Sequence, residues 1–119
     1  MTETNQLYDL EERTYNFAKN VRAFVKKVPR TTNTIEDGKQ LVRSSGSVGA
    51  NYIEANESLS KKDFRMRIKI SRKEVKESRY WLNLIDTGNN SELLKEKQIL
   101  IKESTELMNI FGLIVRKTE

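Results

Sequence analysis

The apolar positions of this chain recur at alternating steps of three and four, the period of one face of an α-helix. Leu10, Thr14, Phe17, Val21, Phe24 and Val28 set the first such face. Leu41, Val42, Ser45, Val48, Gly49, Tyr52 and Ile53 set the second, and Phe64, Ile68, Ser71, Val75, Ser78, Leu82 and Ile85 the third. Leu94, Ile101, Ser104, Met108, Phe111 and Val115 set the fourth, with Leu93, Leu100, Leu107 and Ile114 as a second seam beside it. Nothing alternates with period two, so no strand is expected.

The punctuation predicts the helix ends. Asp9-Leu-Glu-Glu12 has capping-box spacing and Pro29 stops the first helix, giving 9–28. The second starts near Asn33 or Thr34, with Glu36 and Asp37 favouring its N-terminal dipole, and runs 33–57. Ser60-Lys-Lys-Asp63 opens the third, and Gly88 in Thr87-Gly-Asn-Asn90 ends it, giving 60–87. The fourth covers 91–116. Residues 1–8 are expected as a flexible N-terminus before one domain over 9–117. Short links join antiparallel neighbours, so the expected fold class is all-α, an antiparallel up-down-up-down four-helix bundle.

Glycine inside a helix costs about 1 kcal/mol relative to alanine. Gly38, Gly46 and Gly49 in the second helix therefore need a reason. Small residues that let a neighbouring backbone approach are one reading; a kink or break at Ser44-Ser45-Gly46-Ser47 is the other.

Composition removes several chemistries. The 119 residues contain neither cysteine nor histidine, so thiolate nucleophiles, disulfides and the commonest general base and metal ligand are missing. Paired carboxylates occur at Glu54/Glu57 and Glu74/Glu77, but a bridged dimetal site normally adds Glu-x-x-His motifs. Gly46-Ser-Val-Gly49 lacks the lysine of a phosphate loop. The expectation is a protein that is not an enzyme and uses no cofactor or metal. No apolar run approaches the roughly 20 residues of a membrane span, and the N-terminus does not read as a signal peptide, so a cytoplasmic location is expected.

Charge is concentrated. The whole chain carries +5, and residues 60–86, with nine basic and four acidic groups, carry the same +5. Lys62, Arg65, Lys69, Arg72, Lys76 and Arg79 form one stripe, about 100° around the third helix from its apolar seam. Such a row, spaced about 5 Å apart, suits a phosphate backbone. A solvated face, partly neutralised by Glu74 and Glu77, is the alternative.

Apolar surface also exceeds what a monomer needs. Leu107, Met108, Ile110, Phe111, Leu113, Ile114 and Val115 cover roughly two-thirds of the fourth helix's circumference. Ile70, Trp81 and Leu84 add a second partial seam on the third. Ile70, Trp81, Ile110, Leu113 and Ile114 are the candidate oligomer interface; covering the open end of the bundle is the other reading.

Arg43-Ser-Ser-Gly-Ser-Val-Gly-Ala-Asn-Tyr-Ile-Glu-Ala55 resembles the signature of the bacterial four helix bundle protein family, some of whose members are encoded by intervening sequences within 23S ribosomal RNA genes. Lys62-Asp-Phe64 and Ser71…Lys73-Glu74…Glu77…Trp81-Leu82 resemble its second block. The resemblance implies an up-down four-helix bundle and a homo-oligomer, often a pentamer. A distant relative is the accessory protein of diversity-generating retroelements, a basic pentamer that associates with a reverse transcriptase and nucleic acid. The family's recurring polar residues map onto Arg43, Asn51, Glu54, Glu74 and Glu77, as an interhelical network or a binding site. Three functions are therefore in play. One is an oligomeric adaptor for RNA or DNA using the basic stripe. Another is a scaffold for a protein partner using apolar surface. The last is a ligand-binding or enzymatic bundle built on Glu54, Glu74 and Glu77.

Overall fold

A computed structural model describes residues 3–119. Four helices follow one another: α1 (Glu3–Val25), α2 (Thr32–Asn56), α3 (Lys61–Leu84) and α4 (Ser91–Lys117). Each packs on its neighbours in chain order, and α4 closes the ring onto α1. The backbones of the diagonal pairs stay apart among the described residues, with Cα atoms more than 8 Å from one another, which is the antiparallel up-down-up-down bundle the periodicity predicts.

The caps explain most ends and correct others. Ser60 accepts a hydrogen bond from the Asp63 amide (3.1 Å), and Asn90 accepts from Glu92 and Leu93 (3.0 and 3.1 Å), both at the expected positions. The second helix, however, is capped by Thr31 in a reciprocal box with Thr34 rather than starting at Asn33 or Thr34. Glu36 and Asp37 then lie beyond its first turn. Asp9 lies inside α1, which is already under way at Glu3, so the helix does not start at Asp9 as expected. The expected flexible segment 1–8 is helical from Glu3, and residues 1 and 2 lie outside the described residues. The helix leaves off at Val25, earlier than expected, and the chain passes through a turn at Lys26 and Lys27 before Pro29, while Val28 is still buried in the core. Gly88 is not the cap of α3: Ile85 leaves the helix in extended conformation, and Gly88 (φ +67°) turns the link three residues later. An added Cβ at Gly88 would lie 3.1 Å from Pro29 Cγ, so the α1–α2 and α3–α4 links pack together at one end. The Lys97 ammonium donates to the carbonyls of Asn83 and Ile85 (3.2 and 3.0 Å), satisfying the end of α3.

The core is one cluster. Phe17, Phe24, Leu41, Val48, Tyr52, Ile68, Val75, Leu82, Leu107 and Phe111 are buried, and the rings of Tyr52 and Phe111 meet across the bundle at 6.0 Å. Leu94 and Ile53, expected on inner faces, point outward instead. Between α2 and α3 the core turns from large side chains to serines. Ser44 and Ser78 share a hydrogen bond at 2.8 Å, and Ser71 donates to the Val48 carbonyl at 2.9 Å, a contact that only a close backbone approach permits.

The α2 glycines face α1. A Cβ at Gly38 would meet Val25 at 2.9 Å and one at Gly49 would meet Thr14 at 2.9 Å. With α2 continuous through Ser44–Ser47, a break explains none of the three; close packing explains Gly38 and Gly49, while Gly46 faces only the end of the Arg22 side chain.

Candidate nucleic-acid interface

The third helix has two flanks of opposite character. On the flank toward α2, Arg43 donates to Glu74 (3.0 Å) and Glu77 (2.7 Å). The Asn51 amide donates to the Ser47 carbonyl (2.9 Å) and its oxygen accepts from Arg67 (3.1 Å). The expected network of Arg43, Asn51, Glu54, Glu74 and Glu77 is thus two separate edge clusters. Of its members only Glu74 is buried; Arg43 and Glu54 are exposed. Their place on the flank, about 80° or more from the apolar seam, leaves them at the rim of the helix pair rather than inside it. Glu54 lines a shallow depression with Glu57, Asp63 and Arg67, apart from the other two acids.

The electrostatics of this flank are those of a paired site. Burial is the largest single influence on the Glu77 carboxyl and works to raise it, but the hydrogen bond and charge of Arg43, with smaller help from Glu74 and Trp81, together outweigh it and hold the group below the usual carboxylate range. Arg43 is correspondingly raised, chiefly by its bond to Glu77. With Glu74 and Glu77 both on Arg43, the carboxylate constellation of a catalytic or ligand site is not assembled. Among the described residues no group of three or more acids could hold a metal ion.

The flank toward α4 carries the stripe. Lys62, Lys69, Arg72 and Lys76 are exposed, and Arg65 and Arg79 are half-buried. None of the six is in an ion pair among the described residues. The Arg79 guanidinium donates to the Thr105 hydroxyl (3.3 Å), and the Arg65 Nε is buried without a hydrogen-bond partner. Arg72 lies over Gly112: a Cβ there would be 3.5 Å from its Nε and 3.7 Å from Nη1 of Arg116, so a cation from α4 joins the row.

Helical phase explains why no carboxylate answers this row. On α4, Ile101, Thr105, Met108 and Gly112 fall on the α3 side, while Glu96, Glu103 and Glu106 fall on the α1 side. There Glu103 and Glu106 grip Arg13 (2.7 and 2.8 Å), and Glu96 grips Lys27 (2.7 Å). Of the three acids within the stripe's span, Glu74 and Glu77 turn to Arg43, and Asp63 is in no ion pair among the described residues. Sequence reasoning missed Thr105, Gly112 and Arg116; the signal was the position of α4's acids on its wheel, which segment charge does not register.

Of the expected oligomer-interface residues, Trp81, Ile110 and Ile114 are half-buried and pack against the core of the bundle. Ile70 is half-buried on the outer side of α3, and Leu113 is 45% exposed on α4.

The architecture is therefore that of a four-helix bundle whose α3–α4 edge carries a row of cations outside the ion pairs among the described residues. The chain belongs to the 23S rRNA-intervening sequence protein family, whose model matches residues 8–112. It is also similar to a crystal structure of a protein of unknown function from the S23 ribosomal protein family of Bacteroides thetaiotaomicron. The identity is 28% over 89% of this chain and 97% of that one, with a TM-score of 0.77. No curated protein matches the chain. Among the described residues no helix is long and apolar enough to cross a membrane.

Proposed function

We propose that this protein is a non-enzymatic helical bundle that associates with nucleic acid through the α3–α4 edge. The observation that carries the reading is the partnering of charge. Among the described residues the ion pairs engage Arg13, Lys27, Lys39 and Arg43; other cations are also unpaired, but Lys62, Arg65, Lys69, Arg72, Lys76 and Arg79 are aligned in one row that no carboxylate joins. A solvated face would need no such exclusion of acids, and it runs for about 26 Å along the helix. A polyanion that displaces its counterions onto this row gains most where no internal carboxylate competes.

Titration of fluorescent RNA and DNA oligonucleotides across salt concentrations tests this. Binding should weaken steeply with salt. The Arg65→Gln/Lys69→Gln/Arg72→Gln/Lys76→Gln variant should lower the slope of log K against log salt by about 3 units. Binding and slope unchanged in that variant would sink the proposal.

A second reading, self-association into the homo-oligomer that the family resemblance implies, is favoured by Ile99 and Leu113, both exposed on the outer face of α4. Light scattering should then give a mass above the monomer that falls with Leu113→Asp. A monomer throughout at micromolar concentration would leave a protein partner as the occupant of that face.

A further inference from the structure

We infer that Tyr80 is a stacking platform for an unpaired base, so that the cationic edge selects single-stranded over duplex nucleic acid; the inference rests on the polyanion reading above. The stripe is two columns rather than one. On an ideal helix Lys62, Lys69, Lys73, Lys76 and Tyr80 fall within an arc of about 60°, and Arg65, Arg72 and Arg79 lie further round, toward α4. The arginines are the inner column, half-buried or laid over Gly112, and the lysines are the outer one. Tyr80 ends the lysine column.

Tyr80 stands one turn beyond Lys76, beside Glu77, Asn83 and the exposed Leu84, and contributes nothing to the core, being 60% exposed. It is nonetheless held. Its ring meets Trp81 edge to face, with centroids 5.0 Å apart and planes at 81°, and Trp81 is itself packed against the core. The ring is therefore oriented without being covered, which keeps the entropy of ordering it low when a flat partner arrives.

The neighbouring charge identifies that partner. Lys76 lies one turn back, about 6 Å along the axis, so a strand with a phosphate on Lys76 brings its next base to the ring. Every base offers a π-face, so the contact discriminates little among sequences. It does discriminate by pairing, since a duplex keeps its bases stacked inside and offers the edge only its backbone.

The experiment compares three probes at low salt: a 12-nucleotide oligoadenylate RNA, a duplex of the same length, and an abasic deoxyribose-phosphate strand of the same length. The oligoadenylate should bind the wild-type protein about five- to tenfold more tightly than the abasic strand. Tyr80→Ala should abolish that difference while leaving abasic-strand and duplex binding unchanged, and Tyr80→Phe should preserve it. Equal loss on all probes, or no change with Tyr80→Ala, overturns the stacking role while the cationic-edge reading stands. No binding of any probe by wild-type protein overturns both.

Discussion

The hydroxyls of Ser44 and Ser78 meet at 2.8 Å between α2 and α3, each fully buried. Either hydroxyl can donate across the pair, because Ser78 also reaches the Glu74 carbonyl (2.9 Å) and Ser44 the Leu41 carbonyl (3.4 Å). Ser44→Ala removes the bond between them but leaves Ser78 its bond to Glu74, and should lower stability by about 1 kcal/mol. Ser44→Leu forces four carbons into the closest helix contact and should cost about 2 kcal/mol or more. Urea denaturation with an unchanged m-value measures both; a neutral Ser44→Leu would contradict the packing described.

Two glycines of α2, three residues apart, respond with opposite signs. At Gly46 a Cβ would meet only the tip of the Arg22 guanidinium, at 3.1 Å, and a flexible end moves easily. Gly46→Ala should therefore stabilise by up to about 1 kcal/mol through helix propensity. At Gly49 the Cβ would meet Thr14 Oγ1 at 2.9 Å and Thr14 Cβ at 3.3 Å. Thr14 is pinned by its own bond to the Glu11 carbonyl, so α1 must shift, and Gly49→Ala should destabilise by about 1–3 kcal/mol. Thermal midpoints that move in the same direction would reject this account.

The Arg43–Glu77 pair gives an acid-side pH dependence. Because the folded Glu77 carboxyl sits below its unfolded value, its contribution is present above the unfolded value and is lost as pH falls through the folded one. Stability measured from neutral pH downward should thus decline below about pH 4.3, where an unperturbed glutamate begins to protonate. Glu77→Gln should show a shallower decline over that window than wild type, and identical curves would show that the pair contributes nothing.

Arg13 supports the weakest seam of the bundle. It reaches Glu103 through Nε and Nη2 (2.8 and 2.7 Å) and Glu106 through Nη2 (2.8 Å), where α1 and α4 otherwise touch little. Its guanidinium is raised above its ordinary value, chiefly by the bond to Glu103. Arg13→Lys keeps the charge but loses the fork, and should cost about 1 kcal/mol, less at high salt. Amide exchange should speed up in α1 before α2 and α3; uniform acceleration across all four helices would be the contrary result.

Helix number, order and most core positions were legible because periodicity and capping are local. Ser60 and Asn90 could be read directly, whereas Asp9 misled because a capping pattern inside a helix looks the same as one at its start. Trp81, Ile110 and Ile114 were ambiguous for a different reason: an apolar arc wider than the core does not say whether the excess covers an edge or meets a partner. The cationic stripe was visible residue by residue. Its lack of neutralisation was not, because that depends on which way the acids of α2 and α4 turn, a tertiary fact.

That partition of acids has a mechanical consequence. Since α1 and α4 neutralise each other along their shared seam, the molecule's positive charge is displaced from its centre of mass toward the α3 side. In the field of a polyanion such an offset exerts a torque as well as a pull. The bundle would rotate its cationic edge forward during approach, so that a larger share of encounters arrives already aligned, and that advantage would fade as added salt shortens the reach of the field.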